Sequence, residues 1–584
     1  MFWLVRSPLL AAGLLLALVS ASQAADERTA ADLLPGTVVA YGEVRETKRI
    51  IDTVLDHPLA AELKAHPNYQ QALATPQYER FQAVVKAVEG KLGIPYRQAV
   101  SELVQGGIHI GFDLPTQGVI VLSKAADEKC AAKARDAALE LVRAEAQRQG
   151  QGDPIKTDDH RDIPLYEIGE ARIAVAGPWI IASNKPLLLR LTLNNFLAKD
   201  ASLSDDDQFK KALASRPQNA AAWGYVDLRL LRDFGVLKKA LSQKSDNPAI
   251  ELIAGGVVGG LPTAPYVTAG VELDATGVRL TAALPSDVKA AAGKREFYLG
   301  KDGGGQAPPL LKPSETILSL ATYRDFASMW RNAPDLFDEK VNAGIAQAES
   351  NLMTIFAGQN FRDDILGNLE PQMQLVVARQ KWPQAGVTPA MKLPAVAVVM
   401  QMKNPEETTR IFKVTFQSVV GFLNVAGAQN RLAPLDLNME RSKDSLLVAA
   451  EYLPPKDEKV RVAAPPNFNA SPTIVFVGNK VILSSAKPLA LELAAGLDKQ
   501  PAATPGVNSA IEADNQILQS ILADNREPLI AQNMLEQGRD RAAAEKNIDL
   551  VLAILKHFDK SSLKLTTDGG KIELALDVRL KQSK

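Results

Sequence analysis

Residues 171–193 read ARIAVAGPWIIASNKPLLLRLTL, and residues 473–495 read TIVFVGNKVILSSAKPLALELAA. When the two stretches are aligned without gaps, Ser183 falls on Ser485 and Lys185 falls on Lys487, with similarly spaced aliphatic residues on both sides. Each stretch predicts two strands, a Ser-x-Lys-Pro turn and a helix that starts at the proline. The similarity predicts that the second half of the chain repeats the first.

The segments around this pair can be matched in the same order in both halves. Each half is expected to open with a strand, continue through a strand pair and a long helix, and end in a strand–turn–strand. The matched segments are 33–51 with 310–330, 106–124 with 373–402, 127–143 with 405–422, and 266–284 with 562–580. Strands joined by hairpins, with helices gathered between them, are typical of an α+β fold. We therefore predict two homologous tandem α+β modules, each a mainly antiparallel sheet covered on one face by helices.

Glycine and proline mark the expected domain boundary. Residues 286–314 contain three consecutive glycines and a Pro-Pro pair, and such stretches typically join domains. We predict a first module at 25–290, a Gly/Pro-rich linker at 291–312 and a second module at 313–584. Shorter breaks are predicted as loops inside the modules, at 147–164, 381–394, 454–472 and 499–508.

Residues 1–24 have the features of a signal peptide. Arg6 provides a positive start, Leu9 to Val19 are mostly apolar, and small residues lead to Ala24. The apolar stretch is short for a membrane span, which needs about 20 apolar residues, although an uncleaved N-terminal anchor is the alternative. We expect no transmembrane segment after the signal peptide. The protein is therefore expected to be periplasmic or secreted.

Composition favours a folded, aliphatic core and limits the possible partners. Apolar residues make up 46% and charged residues 23% of 584, close to the average of globular proteins. The formal net charge is −1, with no basic stripe, which argues against nucleic acid as a partner. Cys130 is the single cysteine, so it cannot form a disulfide within the chain, and it is expected to be a small buried apolar residue.

The Ser-x-Lys-Pro turns permit a catalytic interpretation and a structural one. Ser183 with Lys185, or Ser485 with Lys487, could be a nucleophile and its base. The known S-x-x-K class has a different spacing and further motifs that are not evident here. A serine that bonds an unpaired amide before a helix-starting proline explains the same residues. Because the turn occurs twice, we favour the structural interpretation.

The remaining polar clusters match no catalytic or metal-binding pattern. The histidines His57, His66, His109, His160 and His557 form no HExxH motif and no helical pair. Residues 158–162 lack the calcium-loop pattern and are expected to be a solvated loop. Residues 204–207 are expected to cap a helix, and the glycine-rich stretch 255–260 to serve close packing or a flexible loop. We therefore assign no catalytic, cofactor-binding or metal-binding residue, and no cofactor.

The signal peptide, the opening LLPGTVVAYGEV and the segment GPWIIASNKPLLLRL together resemble a family of exported bacterial proteins of unknown function. That family shares a Leu-Leu-Pro-x-Thr opening before an apolar strand and a Ser-x-x-Pro joint. The resemblance covers most of the chain after the signal and implies no activity, so no functional residues are transferred. The second half departs from it at 312–316, where Lys-Pro-Ser-Glu-Thr replaces the direct opening.

Three functions follow as hypotheses. The favoured one is a non-catalytic exported protein with a binding or scaffolding role in the periplasm or cell envelope, whose partner is an unknown protein or envelope component. The second is a carrier of an apolar ligand, such as a lipid, held between sheet and helices. The third is an envelope hydrolase that uses a serine and its neighbouring lysine.

Overall fold

The structure is a computed structural model of the chain. It describes residues 28–55, 64, 69–70, 73–92, 94–198, 200–241, 244–285, 295–356, 358–382, 387–430, 432–442, 444–454, 464–568 and 570–582. The predicted signal peptide, His57 and His66 lie outside these residues.

The β-strands are numbered in chain order. They are β1 Val38–Val44, β2 Ile108–Asp113, β3 Gly118–Lys124, β4 Ile155–His160, β5 Ile163–Ile168, β6 Ala171–Ala176, β7 Trp179–Ser183, β8 Ala220–Asp227, β9 Tyr266–Asp274, β10 Gly277–Pro285, β11 Thr316–Tyr323, β12 Leu369–Ala378, β13 Ala395–Met402, β14 Leu435–Arg441, β15 Ser445–Tyr452, β16 Thr473–Val477, β17 Lys480–Ser484, β18 Val507–Asp514, β19 Phe558–Asp568 and β20 Lys571–Leu580.

The α-helices are numbered in the same way. They are α1 Ala30–Leu33, α2 Thr47–Leu55, α3 Pro76–Leu92, α4 Tyr96–Leu103, α5 Glu128–Arg148, α6 Pro186–Ala198, α7 Asp207–Ala214, α8 Leu228–Asp233, α9 Val236–Leu241, α10 Pro248–Gly260, α11 Glu296–Leu299, α12 Phe326–Arg331, α13 Ala333–Leu336, α14 Glu339–Ile355, α15 Pro405–Gln429, α16 Lys487–Gly496, α17 Asn515–Asp524, α18 Arg526–Gln537 and α19 Arg541–Leu555.

The chain folds into two compact units of the α+β class. Unit 1 consists of Met1–Leu237 and Pro265–Ala282, and unit 2 consists of Lys238–Ala264 and Ala283–Lys584. In unit 1 the strands lie in the order β10-β9-β8-β1-β2-β3-β7-β6-β5-β4, and in unit 2 in the order β20-β19-β18-β11-β12-β13-β17-β16-β15-β14. The strand pairs with a defined register are antiparallel in both units. The first strand of each series therefore occupies the same position in its sheet, as does every later strand.

Two local features also recur at matching positions. The pairing of β1 with β2 is irregular between Val38 and Ala40, and the pairing of β11 with β12 is irregular between Thr316 and Leu318. Asp227 at the end of β8 caps α8, and Asp514 at the end of β18 caps α17. Each side chain accepts the backbone amides of the second and third residues after it. A carboxylate at this position satisfies amides that the helix leaves unpaired, which is why both strands end in aspartate.

Helices cover both faces of the sheet, in contrast to the predicted single face. In unit 1, Leu188 of α6 packs in the same cluster as Ala174, whereas Cys130 of α5 packs with the adjacent Val175. Successive residues of a strand point to opposite faces, so α5 and α6 lie on opposite sides of β6. In unit 2, α16 packs with Val475 of β16, whereas α15 packs with the adjacent Ile474, so these two helices also lie on opposite sides of their strand. Helices cover both faces because these strands carry apolar side chains on both faces.

Two further predictions differ from the structure. Residues 155–160, expected within a loop, form the edge strand β4, whose exposed polar side chains give no apolar alternation. The predicted boundary between modules is also displaced. Residues 238–264 belong to unit 2 because the apolar helix α10 packs there, and the predicted linker at 291–312 contains α11, with Phe297, Tyr298 and Leu299 buried.

Candidate functional site

The Ser183 hydroxyl lies at the joint between β7 and α6. It donates to the Val119 carbonyl of β3 at 2.9 Å and accepts the backbone amide of Lys185 at 3.1 Å. A serine hydroxyl has a single proton, and here that proton is engaged by a carbonyl. The geometry is that of a strand-to-helix joint rather than of a nucleophile activated by a lysine amine.

The strand registers align Ser183 with Ser484 rather than with Ser485. Ile120 of β3 lies opposite Ser183, and Ala397 of β13 lies opposite Ser484. The next residue in each joint, Asn184 or Ser485, accepts the backbone amide at the start of the neighbouring strand. A shift of one residue moves every strand side chain to the other face of the sheet. The gapless alignment of similar letters is therefore wrong by one residue in the structure.

The lysine of the second turn is held by carboxylates. Lys487 Nζ lies 2.9 Å from Glu451 Oε1 and 3.3 Å from Glu440 Oε1. The hydrogen bond to Glu451 raises the pKa of Lys487, so the amine stays protonated at neutral pH. Ser485 Oγ instead accepts the amide of Val396 at 2.9 Å. The structure does not bring this serine and lysine into a hydrogen bond.

The other polar clusters have structural partners. In the segment 158–162, Asp158 pairs with Arg190 at 2.5 Å, and His160 Nε2 lies 2.8 Å from Asn194 Oδ1. In the acidic segment 204–207, Asp206 caps α7, so the predicted capping role of this segment is confirmed. The capping serine is Ser202, which forms a capping box upstream of the segment. Within the described ranges, no group of three or more His, Cys, Asp or Glu side chains is placed to hold a metal ion.

Cys130 and the glycine-rich stretch have the packing roles that were predicted. Cys130 is fully buried on α5. The glycines of 255–260 lie on α10, where a Cβ atom at Gly255 would meet the Tyr298 ring at 2.5 Å. The stretch therefore permits close approach of a helix and an aromatic ring, as glycine does where backbone and side chain meet.

A buried cluster of ionisable side chains in unit 1 was not found from the sequence. Tyr41 and Glu43 share one face of β1, and His109 lies opposite Glu43 on β2. The Tyr41 hydroxyl lies 3.0 Å from Glu43 Oε2 and 2.9 Å from His109 Nδ1. Arg216 forms an ion pair with Glu43 from the segment after α7. All except Arg216 are buried, so their charges and protons are strongly coupled.

Proton positions in this cluster follow from its hydrogen bonds. His109 Nε2 lies 3.2 Å from the Gly106 carbonyl, which can only accept, so Nε2 carries a proton. The single Tyr41 proton can then go to Nδ1 of a neutral imidazole or to Glu43, but not to both. Burial lowers the pKa of His109, although Glu43 opposes the effect, and Arg45 and Lys124 add to it. Burial and Glu43 raise the pKa of Tyr41 well above its ordinary value.

Unit 2 lacks this cluster at the matching register. The positions of Tyr41, Glu43 and His109 correspond to Ser319, Ala321 and Gln374. The sequence signal was the presence of Tyr41 and Glu43 two residues apart in an otherwise apolar strand. Its histidine partner could not be identified, because the β1–β2 register is set by tertiary pairing.

A different buried polar group occupies unit 2. Arg324, at the end of β11, is fully buried, and its guanidinium donates to the carbonyls of Leu252 and Tyr298 and to Asn508 Oδ1 at 2.9, 3.2 and 2.6 Å. Burial lowers the pKa of Arg324 to about 10. These acceptors are neutral, and no carboxylate among the described residues pairs with this arginine, which joins α10 and α11 to the sheet.

An exposed apolar surface lies at the C-terminal end of α15. We call it the α15 tip and define it by the exposed side chains Phe422, Leu423, Val425, Leu432 and Leu453. The Leu432 amide donates to the Gly427 carbonyl of the helix at 2.9 Å. The Leu453 amide donates at 3.1 Å to the carbonyl of Pro434, whose neighbour Leu435 is bonded to Asn424 of the helix. Phe422 and Val425 are 69% and 64% exposed, among the highest values of the large apolar side chains in the described residues.

The corresponding helix of unit 1 has charged residues where the tip is apolar. Phe422 lies as far beyond its N-cap residue Asn404 as Glu145 lies beyond Asp127, and Val425 corresponds in the same way to Arg148. Glu145 and Arg148 form an ion pair. From Val414 to Asn430 the chain contains no charged residue. Among the described residues, α15 is the one helix long and apolar enough to span a membrane, although its first half is packed in unit 2.

Two cavities of unit 2 differ in size and lining. The apolar cavity between α10 and the strands, lined by Leu252, Leu320 and Leu565 among others, has a volume of about 20 Å³. A ligand pocket usually encloses about 300–1,000 Å³. A larger groove of about 870 Å³ runs along 307–313, but Lys312 at its wall is already paired with Glu512 at 2.7 Å.

The comparisons with known proteins assign no family. No protein-family model matches the chain, and no curated protein matches it. Solved structures of TP0453 in crystal forms I and IV are similar to part of it, with 9% and 8% identity, 45% and 44% of this chain covered, and 80% and 79% of the TP0453 chain covered. The TM-score is 0.24 in both cases, which does not establish a shared fold.

Proposed function

We propose that this chain is a non-catalytic exported protein that binds a component of the periplasm or cell envelope through the α15 tip. The observation that carries the proposal is the replacement of the Glu145–Arg148 ion pair of one unit by exposed Phe422 and Val425 in the other. A cluster of exposed apolar side chains on a folded protein is a candidate interaction site. The predicted signal peptide supports the location.

We also propose that the two units are homologous modules arising from a tandem duplication. The shared strand order and the matching strand irregularities support this proposal. Duplication gives the tip its significance, because one copy provides the reference from which the other has diverged. A surface that is apolar in only one copy is consistent with a task that this copy alone performs.

The two alternative functions have weaker support. The serine–lysine hydrolase requires a free hydroxyl proton near an amine, whereas the Ser183 proton is donated to Val119. The apolar carrier requires an apolar chamber, whereas the apolar cavity beneath α10 has room for about one water molecule. The larger groove along 307–313 is lined partly by charged residues, among them Lys312 and Glu512.

The binding role is tested with residues 25–584 and protein-containing envelope membranes from the source cells. The double variant F422E/V425R restores the charges of unit 1 at matching helix positions. We expect the native chain to co-sediment with the membranes and the variant to lose at least about 90% of that binding, because two of the most exposed apolar groups become charged. L535E, which adds a charge at an exposed leucine of α18, is the matched control. Equal binding of the native chain and F422E/V425R would refute the proposal.

A further inference from the structure

Several polar groups at the α15 tip are bonded within the chain. Asn424 donates to the Leu435 carbonyl at 2.9 Å and accepts the Leu435 amide at 2.7 Å. The Gly427 carbonyl, near the helix end, accepts the amides of Asn430 and Leu432 at 3.0 and 2.9 Å. The Asn430 side chain donates to the Ala426 carbonyl at 3.1 Å. The tip therefore exposes apolar side chains while these polar groups have internal partners.

We infer that the α15 tip inserts into the surface of a lipid bilayer. This inference rests on the proposed function and names its partner. Hydrocarbon offers no hydrogen bonds, so a segment can enter it cheaply only if its polar groups are satisfied internally. Asn424 and Gly427 meet that condition at the end of the helix that carries Phe422 and Val425.

Charge complementarity favours lipid hydrocarbon over a charged macromolecule. The stretch from Val414 to Asn430 has no charge to pair with an acidic or basic partner. The five tip side chains are exposed on a helix end and two adjoining loop positions, not recessed in a pocket. Amphipathic helices that lie at bilayer surfaces bury their apolar side chains about 5–10 Å into the headgroup boundary, a depth suited to such a small surface.

The same chemistry predicts how binding depends on the lipid. Lys413 and Arg410 precede the uncharged stretch and Arg431 follows it, so these cations lie outside the helix segment that carries Phe422, Leu423 and Val425. Binding should therefore be driven by hydrocarbon. It should occur on zwitterionic vesicles and change less than about threefold when salt is raised from 0.1 to 0.5 M, a range over which charge attraction is strongly screened.

The test is co-sedimentation of residues 25–584 with sucrose-loaded vesicles of pure phosphatidylcholine, and of phosphatidylcholine with phosphatidylglycerol. We expect the native chain to bind both, F422E/V425R to partition at least about tenfold more weakly, and L535E to bind like the native chain, in accord with loss of buried apolar area. Amide exchange of unit 2 peptides away from the tip checks that each variant is folded.

Three outcomes would overturn the inference: no binding of the native chain to either vesicle, equal binding of F422E/V425R, or binding that requires the anionic lipid and disappears with salt. If protein-containing envelope membranes still bind through the tip while pure vesicles do not, the partner is a protein, and the binding function stands without the lipid. If sedimentation velocity shows a dimer that F422E/V425R dissociates, the occupant is a second copy of the chain.

Discussion

The Nη1 atom of Arg324 donates to Asn508 Oδ1 at 2.6 Å, while the Asn508 amide donates to the Tyr298 carbonyl at 2.9 Å. Arg324 follows β11 and Asn508 lies in β18, so this pair connects the sheet of unit 2 with the short helix α11. Both side chains are fully buried. A buried arginine with only neutral acceptors is costly unless those acceptors are fixed, so the pair is expected to hold its surroundings rigidly.

Replacing Arg324 with methionine should loosen α10 and α11 from the sheet. The change leaves the carbonyls of Leu252 and Tyr298 with fewer partners, and losing a buried, hydrogen-bonded group of this kind typically costs about 2–4 kcal/mol. The variant should exchange amide hydrogens faster than the native chain in peptides from 248–260 and 296–299. Peptides of unit 1 should exchange at the same rate in both proteins. Unchanged protection in those two peptides would show that Arg324 is not the connecting residue.

Replacing Gly255 with alanine should destabilise unit 2. The added Cβ would lie 2.5 Å from the Tyr298 ring, which is fully buried and cannot move aside freely. Overpacking of this kind costs about 1–3 kcal/mol. Gly344 in α14 is the control, because a Cβ there meets nothing within 4 Å. G344A should be neutral or stabilise by up to about 1 kcal/mol through helix propensity, as measured by urea unfolding. Equal effects of the two changes would contradict the packing argument.

The stability of unit 1 should fall in mild acid because of His109. Its pKa is lowered in the folded chain, whereas an unfolded imidazole titrates near about 6.5. As pH falls through about 6.5, the unfolded state binds a proton that the folded state resists, so the free energy of unfolding decreases by at most about 1.4 kcal/mol per pH unit. At higher pH the contribution of His109 to the free energy of unfolding is constant.

H109Q removes the titrating group and introduces the residue found at the matching position of unit 2, Gln374. The groups facing His109 are Tyr41, Glu43, Arg45 and Lys124, with Arg216 beyond Glu43, and all of them remain. Urea unfolding at pH 5, 6 and 7 should show a shallower pH dependence for H109Q than for the native chain, and H160Q serves as the histidine control. The same slope for H109Q and the native chain would rule out His109 as the source.

The local elements were largely predictable from residue patterns. The alternation in 106–124 and 266–284 predicted strand pairs that the structure contains as β2–β3 and β9–β10. Polar edge strands such as β4 were missed because their side chains are solvated on both sides and show no apolar period. The sequence also aligned Ser183 with Ser485, whereas the structure aligns it with Ser484. Similar residues in neighbouring positions allow either alignment, and only the hydrogen-bond register of the strands distinguishes the two.

The α+β class, the order of many elements and the strand-to-helix character of the Ser-x-Lys-Pro joint could be predicted from residue patterns, because propensity, turn chemistry and period are local properties. Three features required the folded chain: the meeting of Tyr41, Glu43 and His109, the packing of α10 within unit 2, and the exposure of Phe422 and Val425. Each of these depends on which distant surfaces pack together. An apolar segment has the same sequence pattern whether the folded protein buries it or leaves it exposed.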